Sequence, residues 1–201
     1  MLSVAKVSSS GGAANYYSQE DNYYFLGEQS TTWFGEGAKR LGLEGAVDKS
    51  TFKEVLEGHL PDGSDLSFIR KGENAHRPGY DYTFSAPKSV SLLALIQDNK
   101  EVLEAHKNAV EKTMIEIESL ASTRSLETQE KSIVETKNLV AALFLHDTNR
   151  NLEPHLHTHA IIANATYDEN SEKFKTLSSD KAGNSQGFVE VTWNNKNIRT
   201  M

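Results

Sequence analysis

At 201 residues, 37% apolar and 24% charged, the chain has the make-up of one globular domain large enough to bury a core, expected to span residues 1–201. It holds no cysteine, which excludes disulfide frameworks and thiolate metal sites, and any metal here must use nitrogen and oxygen ligands. No apolar run nears the ~20 residues of a membrane span, "MLSVAKVSSSGG" lacks a signal-peptide core, and a net charge of −7 weighs mildly against nucleic acid; a cytoplasmic protein with no membrane insertion is expected.

In chain order, "LSVAKV" (2–7) reads as a strand followed by the breaker "SSSGG". "AANYYSQEDNYYFLGE" can start a helix. "WFGEGAKRLGL" and "DKSTFKEVLEGHLP" read as two short helices, the second with Asp48 as N-cap and Gly58 near its end. A Gly-, Pro-, Asp- and Asn-rich loop follows. In "YDYTFSA", Tyr80, Tyr82 and Phe84 alternate with Asp81, Thr83 and Ser85, the period of a half-buried strand. "SAPKSVSLLALIQ" predicts a helix with Ser85 as N-cap and Pro87 in its first turn. A longer helix over residues 100–120 carries Val102, Leu103, Ala109, Val110, Ile117 and Leu120 as its apolar stripe. "KNLVAALFLHD" and "HLHTHAIIANATY" read as strands and "KFKTL" as an edge strand. The fold class expected is α+β, helices packed on a largely antiparallel sheet, without internal repeats. The last residues, "GFVEVTWNNKNIRTM", begin an element and stop within it, so the domain is expected to be incomplete at its C-terminus.

Four of the seven histidines fall within "HDTNRNLEPHLHTH". In a strand, residues i and i+2 share a face, so His157 and His159 point the same way. "DTNRNLEP" is a loop, and a hairpin centred between Asn151 and Leu152 sets His146 opposite His157 and diagonal to His159. Three imidazoles then converge as a metal site with open positions; histidines lining a solvated sheet face are the plainer alternative. His155 belongs to the loop mouth. His59, His76 and His106 have no visible partner and receive no chemistry.

Four of seven tyrosines, Tyr16, Tyr17, Tyr23 and Tyr24, fall in "NYYSQEDNYY". Pairs seven apart share a helix face. An aromatic stripe packed on the sheet is one reading, but polar neighbours and doubled tyrosines leave a hydroxyl of each pair facing outward. A phenol needs a base or a cation to act as a nucleophile near neutral pH. Asp81, on the strand face away from Tyr80 and Tyr82, is a candidate, although an exposed sheet carboxylate fits it equally. Tyrosines, a three-histidine metal patch and one carboxylate together suggest phosphoryl transfer to tyrosine.

The ordered motifs "MLSVAKV", "NYYSQEDNYY", "HRPGYDYTFSAPKSVS", "HDTNRNLEPHLHTHA" and "KTLSSDK" closely resemble the relaxase domain of TraI/TrwC-type conjugative relaxases, which belong to the HUH (His-hydrophobe-His) endonucleases. The resemblance covers essentially the whole chain. It implies a site- and strand-specific nickase of single-stranded DNA at a plasmid origin of transfer. The enzyme would keep the 5′-phosphate as a tyrosine ester and pilot the strand into a recipient cell. Relaxosome accessory proteins and the conjugative secretion machinery are the implied partners. Tyr16 matches the first nucleophile, Tyr17, Tyr23 and Tyr24 the other motif tyrosines, His146, His157 and His159 the metal ligands. Asp81 matches the carboxylate that activates the tyrosine or orients a metal-bound histidine.

There are departures. Thr158 stands where the motif has a hydrophobe but projects away from the ligands. His155 stands where relatives are expected to have an amide, which leaves open a fourth nitrogen near the metal. Family domains run about a hundred residues further, commonly into helicase regions. The resemblance implies Mg²⁺ or Mn²⁺ in use, whereas three imidazoles by themselves also suit Zn²⁺ or Ni²⁺.

For DNA contacts, residues 70–88 carry four Lys/Arg against two acids, while residues 101–137 carry eight Glu against five Lys/Arg. Arg70, Lys71, Arg77 and Lys88 are the candidates, with aromatic faces to stack unpaired bases. Two alternatives to a nickase are a relaxase fragment that binds metal, and DNA weakly, without efficient nicking, and a histidine-metal hydrolase of a small molecule. The latter has no use for paired tyrosines.

Overall fold

The computed structural model describes residues 1–17, 30–125 and 132–178; the side chains of Tyr16, Tyr17 and Ser125 lie outside the description. In chain order the elements are β1 (Leu2–Lys6), α1 (Ser10–Tyr17), β2 (Thr31–Phe34), α2 (Glu36–Arg40), α3 (Lys49–Glu57), β3 (Ile69–Arg70), β4 (Glu73–Asn74) and β5 (Gly79–Ser85). Then follow α4 (Lys88–Leu95), α5 (Lys100–Ser119), β6 (Ser122–Ser125), β7 (Ser132–Glu135), β8 (Ala141–Thr148), β9 (Pro154–Ala163), β10 (Thr166–Asp168) and β11 (Lys173–Lys175). The expected α+β class holds. Five strands form an antiparallel sheet in the order β1-β5-β9-β8-β2. No described helix is long and apolar enough to cross a membrane.

Strand alternation gives the sheet two chemically different faces. One presents Tyr80, Tyr82 and Phe84 with Ala141, Ala160 and Ile162, and α5 covers it through Val110, Met114 and Ile117. The other presents Ala142, Phe144, Ile161 and Ala163 to Ala13 and Ala14 of α1 and to Phe52, Val55 and Leu56 of α3. Each fully buried side chain of this size contributes roughly 1.5–3 kcal/mol. The apolar part of this second face ends where the histidines begin, because Phe144 pairs with His159 and His146 with His157.

Local chemistry explains the element ends. Asp48 caps α3 by accepting from the Thr51 amide at 2.8 Å, and Gly58 closes it at φ 93, as its type and position predicted. Gly79 sits at φ 149 where an added Cβ would meet the Ile162 carbonyl at 2.0 Å, so only glycine lets β5 lie this close to β9.

Several expectations are corrected. Ser85 ends β5 and does not cap α4; Pro87 is the N-cap and its ring precedes the first turn. The segment "SSSGG" does follow the end of β1 at Lys6, but its second half already belongs to α1, which starts at Ser10, and the Ser9 hydroxyl accepts from the Gly12 amide. Trp33 and Phe34 belong to β2, so α2 is only Glu36–Arg40. The stripe of α5 is Leu103, Val110, Met114 and Ile117, with Ala109 exposed. The strand beginning at residue 137 starts instead at Ala141, and the one over 155–167 is broken between β9 and β10. The hairpins β3–β4 and β6–β7 were not anticipated.

Candidate metal centre

The β8–β9 hairpin pairs His146 with His157 and Phe144 with His159, the pairing expected, but the turn itself pairs Thr148 with Pro154, and a register shift between His146 and Thr148 sets His146 opposite His157. Asn149 ties the turn: its Oδ1 accepts from the amides of Asn151 (2.9 Å) and Glu153 (3.1 Å). Leu152 takes φ 59 there, a conformation more at ease with Gly or Asn. On the far side of β9, Thr83 and Ser85 of β5 lie opposite His159 and His157. Asp81, Thr83, His146, His157 and His159 therefore occupy one sheet face.

One nitrogen from each of His146, His157 and His159 lies within 4.8 Å of the others, a set that one cation can span. Their ring centroids are 5.1 to 5.4 Å apart. Acceptors behind two of the rings set their tautomers. Nδ1 of His159 is 2.9 and 3.0 Å from the two Asp81 carboxylate oxygens and 3.2 Å from the Thr83 hydroxyl. His157 Nδ1 donates to the His155 carbonyl at 2.8 Å. With Nδ1–H so engaged, Nε2 carries the lone pair in each of these two rings, the tautomer that histidine ligands need. Burial pushes the His157 pKa down to about 4, with the neighbouring imidazoles adding to the effect, so the ring is neutral at physiological pH. Neutral, pre-oriented imidazoles of this kind fit a divalent ion.

Asp81 is 8% exposed and engaged with His159 and the Thr83 hydroxyl (3.3 Å), so the exposed-carboxylate alternative is overturned. Thr83 was not singled out from the sequence, although its alternation with Asp81 placed it on this face. His155 stacks on His157 at 4.7 Å with an interplanar angle of 19°, and it is not among the three nitrogens that come together. A second set, Glu54, Glu57 and His59, also comes within 4.8 Å. It is a surface group in which Glu57 already accepts from Ser10 (3.0 Å) and pairs with Lys53 (3.5 Å). His76 is structural, its Nδ1 3.0 Å from the Leu66 carbonyl.

The DNA candidates are dispersed. Lys88 reaches the hairpin mouth, its ammonium donating to the Pro154 carbonyl at 3.2 Å and pairing with Glu153 at 3.5 Å. Arg70 and Lys71 are exposed on the β3–β4 turn, next to which Asn74 anchors to the last residue of α3. Arg77 donates to the Tyr80 hydroxyl at 3.0 Å, at the other end and on the other face of β5 from the histidines. Tyr16 and Tyr17 end α1, which packs on the same sheet face as the histidines through Ala13 and Ala14. Their side chains, and all of Tyr23 and Tyr24, lie outside the described residues.

With this geometry in place, comparison with known proteins is specific. A sequence profile of the TrwC relaxase matches residues 10–199. The multifunctional conjugation protein TraI of Escherichia coli (strain K12) is 52% identical over 196 residues, 98% of this chain. The chain spans only 11% of the length of that relative. The conjugative relaxase TrwC, solved in complex with oriT DNA in a metal-bound form, superposes with a TM-score of 0.83 at 36% identity, covering 98% of this chain and 66% of that one. TrwC complexed with a 27-mer DNA comprising the recognition hairpin and the cleavage site superposes with a TM-score of 0.76 at 36% identity, covering 88% of this chain and 60% of that one.

Proposed function

The chain belongs to the TrwC relaxase family, and from that premise we propose that it is a metal-dependent, strand-specific nickase of single-stranded origin-of-transfer DNA. The observation that carries this reading is the triad of His146, His157 and His159, the last two buried, with Asp81 behind His159. It acts in the cytoplasm and travels with the strand it holds; accessory DNA-binding proteins and the secretion machinery are its partners.

In this reading the Tyr16 phenolic oxygen attacks the scissile phosphorus. The bond from phosphorus to the 3′ oxygen breaks, leaving a free 3′-hydroxyl and a 5′-phosphotyrosine ester. The phenol loses its proton and the departing oxygen takes one up. One phosphodiester is exchanged for another of similar energy, so the step reverses without a nucleotide cofactor. Tyr17, Tyr23 and Tyr24 serve as further acceptors at strand closure. The three histidines would hold a divalent ion, which when bound would polarise the non-bridging phosphate oxygens and stabilise the charge that develops on them. Mg²⁺ or Mn²⁺ is the working metal.

Asp81 orients His159 and holds its Nε2 lone pair inward; between the two roles weighed for it, its double contact with Nδ1 favours this one. Lys88, at the hairpin mouth, contacts a backbone phosphate, and Arg70, Lys71 and Arg77 meet the DNA further out.

The test is mass spectrometry of the chain after incubation with an oligonucleotide spanning its cognate origin and Mg²⁺ or Mn²⁺. A mass gain equal to the 3′ fragment is expected, reduced at least a hundredfold by Tyr16→Phe. No adduct on a matched oligonucleotide would overturn the reading. DNA retention without cleavage by the same preparation would identify a chain that binds without cutting.

A further inference from the structure

The strand that carries two of the three histidines is also gripped from behind. Thr158, between His157 and His159, projects to the opposite sheet face, in register with Phe84 and Leu145. There its hydroxyl, in a residue only 4% exposed, shares a 3.0 Å hydrogen bond with Nε2 of His106 on α5, donor and acceptor being set by the imidazole tautomer. Leu145 and Leu156 pack with Leu103 of α5 beside this bond, and surface clefts open further out. A cleft of about 490 Å³ lined by Thr158, Leu143 and Leu145 lies on one side, and one of about 570 Å³ lined by His106, Phe84 and Ala109 on the other. Apolar packing holds this level of the sheet without fixing a direction, and the bond between hydroxyl and imidazole adds the directional constraint.

We propose that His106 is a positioning residue for the metal centre: through Thr158 it fixes, from the far side of the sheet, the stretch of β9 that presents His157 and His159. This rests on the reading of the triad as a divalent-ion site. The coupling is mechanical. Successive residues of a strand share a rigid pleat, so a shift at Thr158 moves the ligand on either side of it. The two polar groups are also mutually dependent, since either one alone would be a buried polar group without its partner.

Calorimetric titration of Mn²⁺ into the folded, DNA-free chain tests this, with thermal stability recorded on the same samples. His106→Leu and Thr158→Val are each expected to weaken Mn²⁺ about tenfold, the lower end of what loss of an outer partner does to a metal site. The double variant should be no weaker than the worse single one, as a shared contact requires. His106→Gln, which can still bond the hydroxyl, should stay within about threefold. Met114→Ala, which loosens α5 two turns away without touching the pair, should lower stability and leave Mn²⁺ affinity unchanged. Wild-type affinity in Thr158→Val and His106→Leu overturns the proposal, as does an equal loss in Met114→Ala. Should the wild-type chain bind no Mn²⁺, the triad reading itself falls; binding abolished by His146→Ala but untouched by Thr158→Val sinks this inference alone.

Discussion

A single imidazole is a poor guide to function, and what distinguishes His159 is the carboxylate behind it. Both Asp81 oxygens lie within 3.0 Å of Nδ1, and Thr83 closes the same pocket at 3.2 Å. An amide in place of that carboxylate removes the negative charge that raises the basicity of the ligand. Asp81→Asn should therefore weaken Mn²⁺ binding about 10–100-fold while the fold persists. Calorimetry against wild type checks this, and equal affinities would mean that Asp81 has no part in holding the ligand. Alternation set Asp81 on the face away from Tyr80 and Tyr82, which had to face the core, but left it equally readable as an exposed carboxylate until its contact with His159 was seen. Thr83 escaped notice because a strand threonine is unremarkable until its opposite residue is known to be His159. His106 escaped for the same reason, since its partner lies 52 residues away on another layer.

At the level of elements, the joints decide what the segments cannot. Glu118, near the end of α5, accepts from the Glu36 amide at 2.8 Å and the Leu139 amide at 2.9 Å, so one carboxylate oxygen joins α5, the start of α2 and the approach to β8. Glu118→Ala leaves both amides without that acceptor and should cost about 2–3 kcal/mol in urea denaturation; a loss under about 0.5 kcal/mol would show that the joint is replaceable. Helices α3 and α5 were readable because Asp48, Gly58 and a regular apolar spacing declare them locally. Strand β2 was not. "TTWF" takes strand form because Thr31–Phe34 pairs with Phe144–Ala141 of β8, a partner more than a hundred residues on. The α4 boundary failed for a related reason: Ser85 suits an N-cap, yet pairing with His157 keeps it in β5.

For the whole molecule, buried histidines set a pH dependence. Burial pushes His106 and His157 down to about 4, and His76 also lies below its ordinary value. In the unfolded chain each titrates near 6.5. Between about pH 6.5 and 4 the unfolded chain therefore binds more protons, and stability falls as pH falls through that window. Glu118, raised by burial, acts in the opposite direction. From pH 7 to pH 5 the metal-free protein should lose up to about 2 kcal/mol for each of His106 and His157. Urea denaturation at the two pH values measures this, and a pH-independent midpoint would contradict neutral burial of these rings.

The residues themselves determined the chemistry on offer: a chain without thiols, histidines two apart on one strand of a hairpin with a third on the other, and a carboxylate forced off the apolar face of its strand. These are consequences of period two and of turn position, which a local stretch encodes completely. Tertiary structure alone decided which partners stand behind the ligands, which of the basic residues lies at the hairpin mouth, and how α5 meets β9. Such contacts join residues tens of positions apart, and their geometry follows from packing across layers, a property that no single segment carries.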